Sequence, residues 1–197
     1  MRTLTFILFL LFCINTAFAA SVQITNGDDG KERLLLTTSQ LRLRINPNRG
    51  GRVDSFRYTP WGEREIVQDK NHGLCNDHFW QEYWPGQFWE AQYSYKILAH
   101  GPDEVSVRVS CLSRDKGVPQ VAGIMVDKTY TIHEGDRVVH VTVSLTNTTA
   151  EGKFIGYWLQ NVCWLGGDKG GDQYFRTTKR GISRTSSDDA NPPDAGF

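Results

Sequence analysis

The 197-residue sequence predicts an all-β fold, a large antiparallel β-sandwich, and three observations carry that prediction. Apolar and polar residues alternate with period two from Leu34 onward. A 3.6-residue helical period is scarce. Gly, Pro and Asp interrupt the alternating runs at short intervals. Each run therefore buries one face and wets the other, as strands of a two-layer sandwich do.

The chain begins with a segment of a different kind. Arg2 precedes an apolar run over residues 6–14, and Ala17-Phe18-Ala19 follows it. A positive start, an apolar stretch too short to span a bilayer and small residues at alternate positions predict a signal peptide over 1–19. The mature protein is then expected to be secreted or periplasmic. No later apolar run is long enough for an integral membrane segment.

The β-sandwich domain is expected over 20–165. Leu41, Leu43 and Ile45 alternate with Arg42 and Arg44, and Gly50-Gly51 permits a tight reversal into residues 53–58. Val105, Val107, Val109 and Cys111 alternate with Ser106, Arg108 and Ser110. Ile124, Val126, Tyr130 and Ile132 lead into Glu134-Gly135-Asp136, and Val139, Val141, Val143 and Leu145 return, which reads as a long hairpin. A further strand is expected over 154–159. Residues 166–197 are rich in Gly, Ser, Asp and Pro, with strand hints only at 173–176 and 181–183. They are read as the truncated continuation of the same domain, so that the sandwich is incomplete at its C-terminal end.

Balanced charge, 22 basic against 22 acidic residues, gives no field to gather a phosphate backbone, and no basic run compensates locally. No nucleic-acid partner is expected. Cys75, Cys111 and Cys163 remain after loss of the signal, spaced too widely for a redox pair or a zinc ribbon. One disulfide with a spare thiol, or three buried thiols, both fit. No nucleophile elbow and no phosphate-binding glycine loop is present.

The strongest functional signal lies in the long connection over residues 68–92 and just beyond. Eight aromatics fall within the seventeen residues 79–95, against a chain average of 12%. Sugars present C–H faces that stack on flat rings, while acids and amides bind their hydroxyls. Trp80, Trp84 and Trp89 are the candidate exposed platform, with Asn71, His72 and Asp77 among the polar partners. The competing reading is that these rings plug one end of the sandwich. His72, His78 and Glu82 are the candidate acid–base groups, since imidazole exchanges protons near neutrality. Their spacing matches no metal motif, and no metal or other cofactor is expected.

Three stretches in order, LRLRINPNRGGRVDSFRY, NHGLCNDHFW and DKTYTIHEGDRVVHVTVSLTNTT, resemble the galactose mutarotase-like superfamily, whose β-supersandwich members include the aldose 1-epimerases. The resemblance spans roughly residues 34–165. It implies a supersandwich fold, matches His72-Gly73 to the family's His-Gly pair, and aligns Asn161 with the end of a second site motif. That motif carries a His in epimerases, whereas this chain reads Tyr157-Trp158-Leu159-Gln160-Asn161. The family's catalytic Glu lies beyond the region covered here. The resemblance therefore implies a carbohydrate-binding or accessory domain. Its alternatives are an epimerase-like or lyase-like enzyme completed by residues beyond Phe197, and a structural or interaction domain. The oligomeric state is left open by the sequence.

Overall fold

The computed structural model describes residues 19–62, 64–67, 72–83, 86–114, 118–161, 173–178 and 181–186. Among them there is no α-helix; strands dominate, and every pairing between them is antiparallel. No described helix is long and apolar enough to cross a membrane.

One sheet is a five-stranded meander, β1 (Ser21–Asn26), β2 (Glu32–Thr37), β3 (Leu41–Asn46), β4 (Arg52–Tyr58) and the short β5 (Arg64–Glu65). After β6 (Asn76–Phe79), the second sheet runs β7 (Ser94–His100), β8 (Glu104–Leu112), β9 (Ile124–His133) and β10 (His140–Asn147), again as sequential neighbours. β11 (Tyr157–Gln160) returns to pair with β6, and β12 (Gln173–Thr178) with β13 (Gly181–Ser186) forms a separate hairpin.

The core lies between the two large sheets. Leu34, Leu36, Leu41, Leu43, Ile45 and Val53 from the first meet Val105, Val107, Val109, Ile124, Val126, Tyr130 and Ile132 from the second, all buried in one cluster. These are the positions that period two assigns to a single face, so the alternation sets the strand register. The Gly50-Gly51 reversal is pressed onto the second sheet. Both glycines have positive φ, and a Cβ on Gly51 would stand 2.8 Å from Val109 Cγ2. Only glycine fits there, because the turn needs the left-handed region and its back has no space. A register shift between Arg44 and Ile45 accompanies buried Asp54, which takes Arg44 Nε at 2.6 Å and Arg33 Nε at 3.0 Å.

The structure departs from the sequence reading at three places. β1 precedes the first expected strand; Val22 is buried while Ile24 stays half-exposed, so its alternation is weak. The connection over 68–92 holds a strand, β6, and a 3-10 turn (Gln87–Trp89). The strand expected over 154–159 begins only at Tyr157, because Gly156 serves as the seat of a tryptophan.

Candidate functional site

The site is built on the two-stranded ladder of β6 and β11. Tyr157 pairs with Phe79, Trp158 with His78, Leu159 with Asp77 and Gln160 with Asn76. Since side chains alternate across a strand, His78, Trp158 and Gln160 share one face while Asp77, Phe79, Tyr157 and Leu159 share the other.

The first face carries a train of rings. His78 stacks on Trp158, with centroids 5.0 Å apart and planes inclined by 17°. Its Nε2 lies 2.9 Å from Gln160 Oε1, and since an amide oxygen only accepts, Nε2 is the donor in this contact. Trp158 touches Trp80 at 4.9 Å. The Trp80 backbone N–H donates to Gly156 O at 3.0 Å, and the indole lies so close to Gly156 that a Cβ there would fall 2.3 Å from Trp80 Cδ1. Trp80 is nonetheless 74% exposed as a residue. It is fixed at its inner edge and open on the rest of its surface. Tyr83 and Phe154, 96% and 92% exposed, are further aromatics left in water on the segments next to this ladder.

At the other end Trp89 approaches His78 at 5.4 Å and His72 at 5.8 Å. Trp89 is only 7% exposed, so it is not the open platform the sequence suggested. Its ring is covered by the Arg52 guanidinium, 4.7 Å from the centroid. Arg52 is fully buried; Nη2 donates to Trp89 O and Nε to Arg49 O, both at 3.0 Å. Burial draws its pKa down to about 10, because the charged form loses hydration. Arg49 pairs with Glu90 at 2.7 Å beside it.

The second face is a sealed ionic cluster. Asp77, 1% exposed, lies 2.7 Å from Lys128 Nζ of β9 and accepts hydrogen bonds from Tyr157 Oη at 2.7 Å and from Tyr93 Oη. Lys128 also donates to Gly50 O at 2.8 Å and Cys75 O at 2.7 Å, so its three N–H groups have three acceptors. Burial, reinforced by the Asp77 charge, pushes the Tyr93 and Tyr157 phenols far up, and they remain protonated donors. This cluster ties β6, β9 and the Gly50 turn together.

The other candidates fall as follows. His72 is exposed, and its carbonyl accepts from Asn76 Nδ2. Glu82 is half-buried, with Oε1 taking Gln87 Nε2 at 2.6 Å. Asn161 Oδ1 accepts the Cys75 N–H at 2.9 Å; Cys75 is buried and has positive φ. Asn71, Trp84 and Cys163 lie outside the described residues. Thus His78, Trp80, His72 and Trp89 form one connected group, whereas Asp77 sits beneath it on the core side. Among the described residues no group of His, Cys, Asp and Glu has the arrangement of a metal site.

Trp158 and Gln160 were not singled out from the sequence. Their signal is the alternation of Tyr157-Trp158-Leu159-Gln160, but only the pairing with β6 reveals what they face. Lys128, a charged residue, shares the inward parity of Val126 and Tyr130 and is fully buried. No known protein family matches this chain, and no curated protein is significantly similar to it.

Proposed function

We propose that this chain is an exported carbohydrate-binding or accessory β-sandwich domain, with the sugar seated against Trp80. The observation that carries the reading is Trp80, a residue 74% exposed whose indole is nonetheless set against Gly156 and Trp158. An indole left in water costs the fold apolar burial, and holding it in one place spares a ligand the cost of ordering it. Pyranose C–H faces match such a surface. The imidazole of His78 and the amide of Gln160 stand on the same face, with Asn161 following at the strand end. The buried Asn76 Oδ1 has no hydrogen-bond partner among the described residues, an unmet acceptor beneath this ladder.

The two-sheet antiparallel architecture supports reading the domain as a galactose mutarotase-like supersandwich. The apolar run between Arg2 and Ala19 supports export. The test is titration of the protein with mono- and oligosaccharides, followed by tryptophan fluorescence and calorimetry. Trp80→Ala is expected to abolish the response of the responsive sugar while leaving the thermal unfolding transition in place. A variant that binds as the parent does refutes the site; a protein silent to every sugar refutes the function.

A further inference from the structure

The four outer edges of the two large sheets are not treated alike. β5 is two residues long, and β7 carries Lys96 and a register shift between Ile97 and Ala99. β1 packs against β7 and β8, and its entry is tied down by the Ala20 N–H to Pro102 O bond. Shortness, charge, irregularity and cover are the ordinary devices that keep a sheet edge from accepting a foreign strand. Among the described residues β10 has none of them. It runs eight residues, His-Val-Thr-Val-Ser-Leu-Thr-Asn, with no charged residue and no proline. Its register with β9 is unbroken from His140 to Asn147, and among the described residues nothing pairs with its outer edge. The core-facing side chains of β10 are also incompletely covered: Val141 and Val143 are half-buried where their counterparts on β8 and β9 are sealed, and Leu145 is 36% exposed.

We propose that the β10 edge is an interface and that its occupant is β10 of a second copy of this chain, joined antiparallel about a two-fold axis into a continuous eight-stranded sheet. A second copy is favoured because the strand complements itself. Residues directly opposite in an antiparallel pair point to the same face, so the axis must pass through a residue rather than between two. With the axis at Val143, Val141 meets Leu145 and Val143 meets its own copy on the core side. On the outer side Thr142 meets Ser144 and His140 meets Thr146. The apolar residues left half-covered in one copy are then covered by the other, and no like charges face each other, since the strand has none.

The test is sedimentation velocity of the full chain over a wide range of concentration, with two double variants. Thr142→Lys with Ser144→Lys sets two pairs of like charges opposite across the axis. Thr142→Lys with Ser144→Glu changes the same two exposed positions but sets opposite charges face to face. The parent is expected to dimerise. The like-charged variant should dissociate about tenfold more readily or worse, and the opposite-charged variant should hold at least as tightly as the parent. Because both variants alter the same sites, a general folding defect would weaken both alike. A monomer at every concentration overturns the proposal, as does a dimer indifferent to both variants. So does a monomer whose β10 amides resist hydrogen exchange, which would show that another part of the same chain holds this edge.

Discussion

Replacing Lys128 by Met removes one member of a buried ion pair and leaves its partner in place. Both side chains are fully buried, with Nζ 2.7 Å from Asp77 Oδ2. The thioether fills much of the lysine's volume, so the main losses are electrostatic. Asp77 keeps its two phenol donors but loses its counter-charge, and the carbonyls of Gly50 and Cys75 lose a donor they cannot replace from solvent. Breaking a buried pair from one side typically costs about 3–5 kcal/mol. That is a large share of the roughly 5–15 kcal/mol that holds an ordinary domain together. Equilibrium unfolding in urea, followed by tryptophan emission, should show the midpoint falling while the slope stays near that of the parent. Lys128→Met combined with Asp77→Asn removes the stranded charge and should recover about 2 kcal/mol of the loss, a coupling that a volume effect would not give. A single variant destabilised by less than about 1 kcal/mol, or a double variant no better than the single, would refute the electrostatic account.

Two further outcomes follow from the same geometry. Gly156→Ala places a methyl 2.3 Å from Trp80 Cδ1, so the indole must leave its seat. Because Trp80 is mostly exposed, stability should change by only about 1 kcal/mol while sugar affinity falls by about tenfold or more; unaltered affinity would dissociate the seat from binding. The Cys111 thiol is pushed up to about 11 by burial and then by the Asp77 charge. Since the thiolate is the reacting form, alkylation at pH 8 should run about 100-fold slower than at an unperturbed thiol and climb steeply as pH rises through 10. Peptide mapping after iodoacetamide treatment checks this, and labelling at the rate of a free thiol would contradict it.

Much of the sandwich could be read from the chain because its strands advertise themselves locally. In residues 104–112 and 124–133, alternation alone identifies which side chains enter the core. It identifies Lys128 as well, if parity is followed in preference to polarity; a charged residue looks solvent-bound until its three acceptors on other elements are known. β6 was hidden for a related reason. Asn76-Asp77-His78-Phe79 has little strand propensity and no apolar alternation, and all four residues are buried. What makes it a strand is a partner about eighty residues away, and no local pattern encodes that pairing. The aromatic cluster was visible as composition, but exposure could not be. Trp80 and Trp89 look alike in sequence, and one lies open while the other is shut under Arg52.

In the proposed sugar site the two faces of β6 divide the work between them. On the inner face Asp77 anchors the strand to Lys128, Tyr93 and Tyr157. Each of these contacts is directional, and together they fix where the next residue along the chain must lie. On the outer face His78 and Trp80 are held by the ring of Trp158, which β11 supplies through the same ladder. A site on a short loop would have to be ordered by its ligand, at a cost in affinity. A site on a ladder pinned by a buried ion pair is ordered in advance. Asp77, sealed on the core side, would act on the proposed sugar ligand through position alone. Its replacement by Asn should weaken binding through a slower or looser fit, with the bound sugar making the same contacts. In calorimetry that loss should appear as a larger entropic penalty for the same ligand, whereas a direct contact would lose enthalpy and shift the preference among sugars.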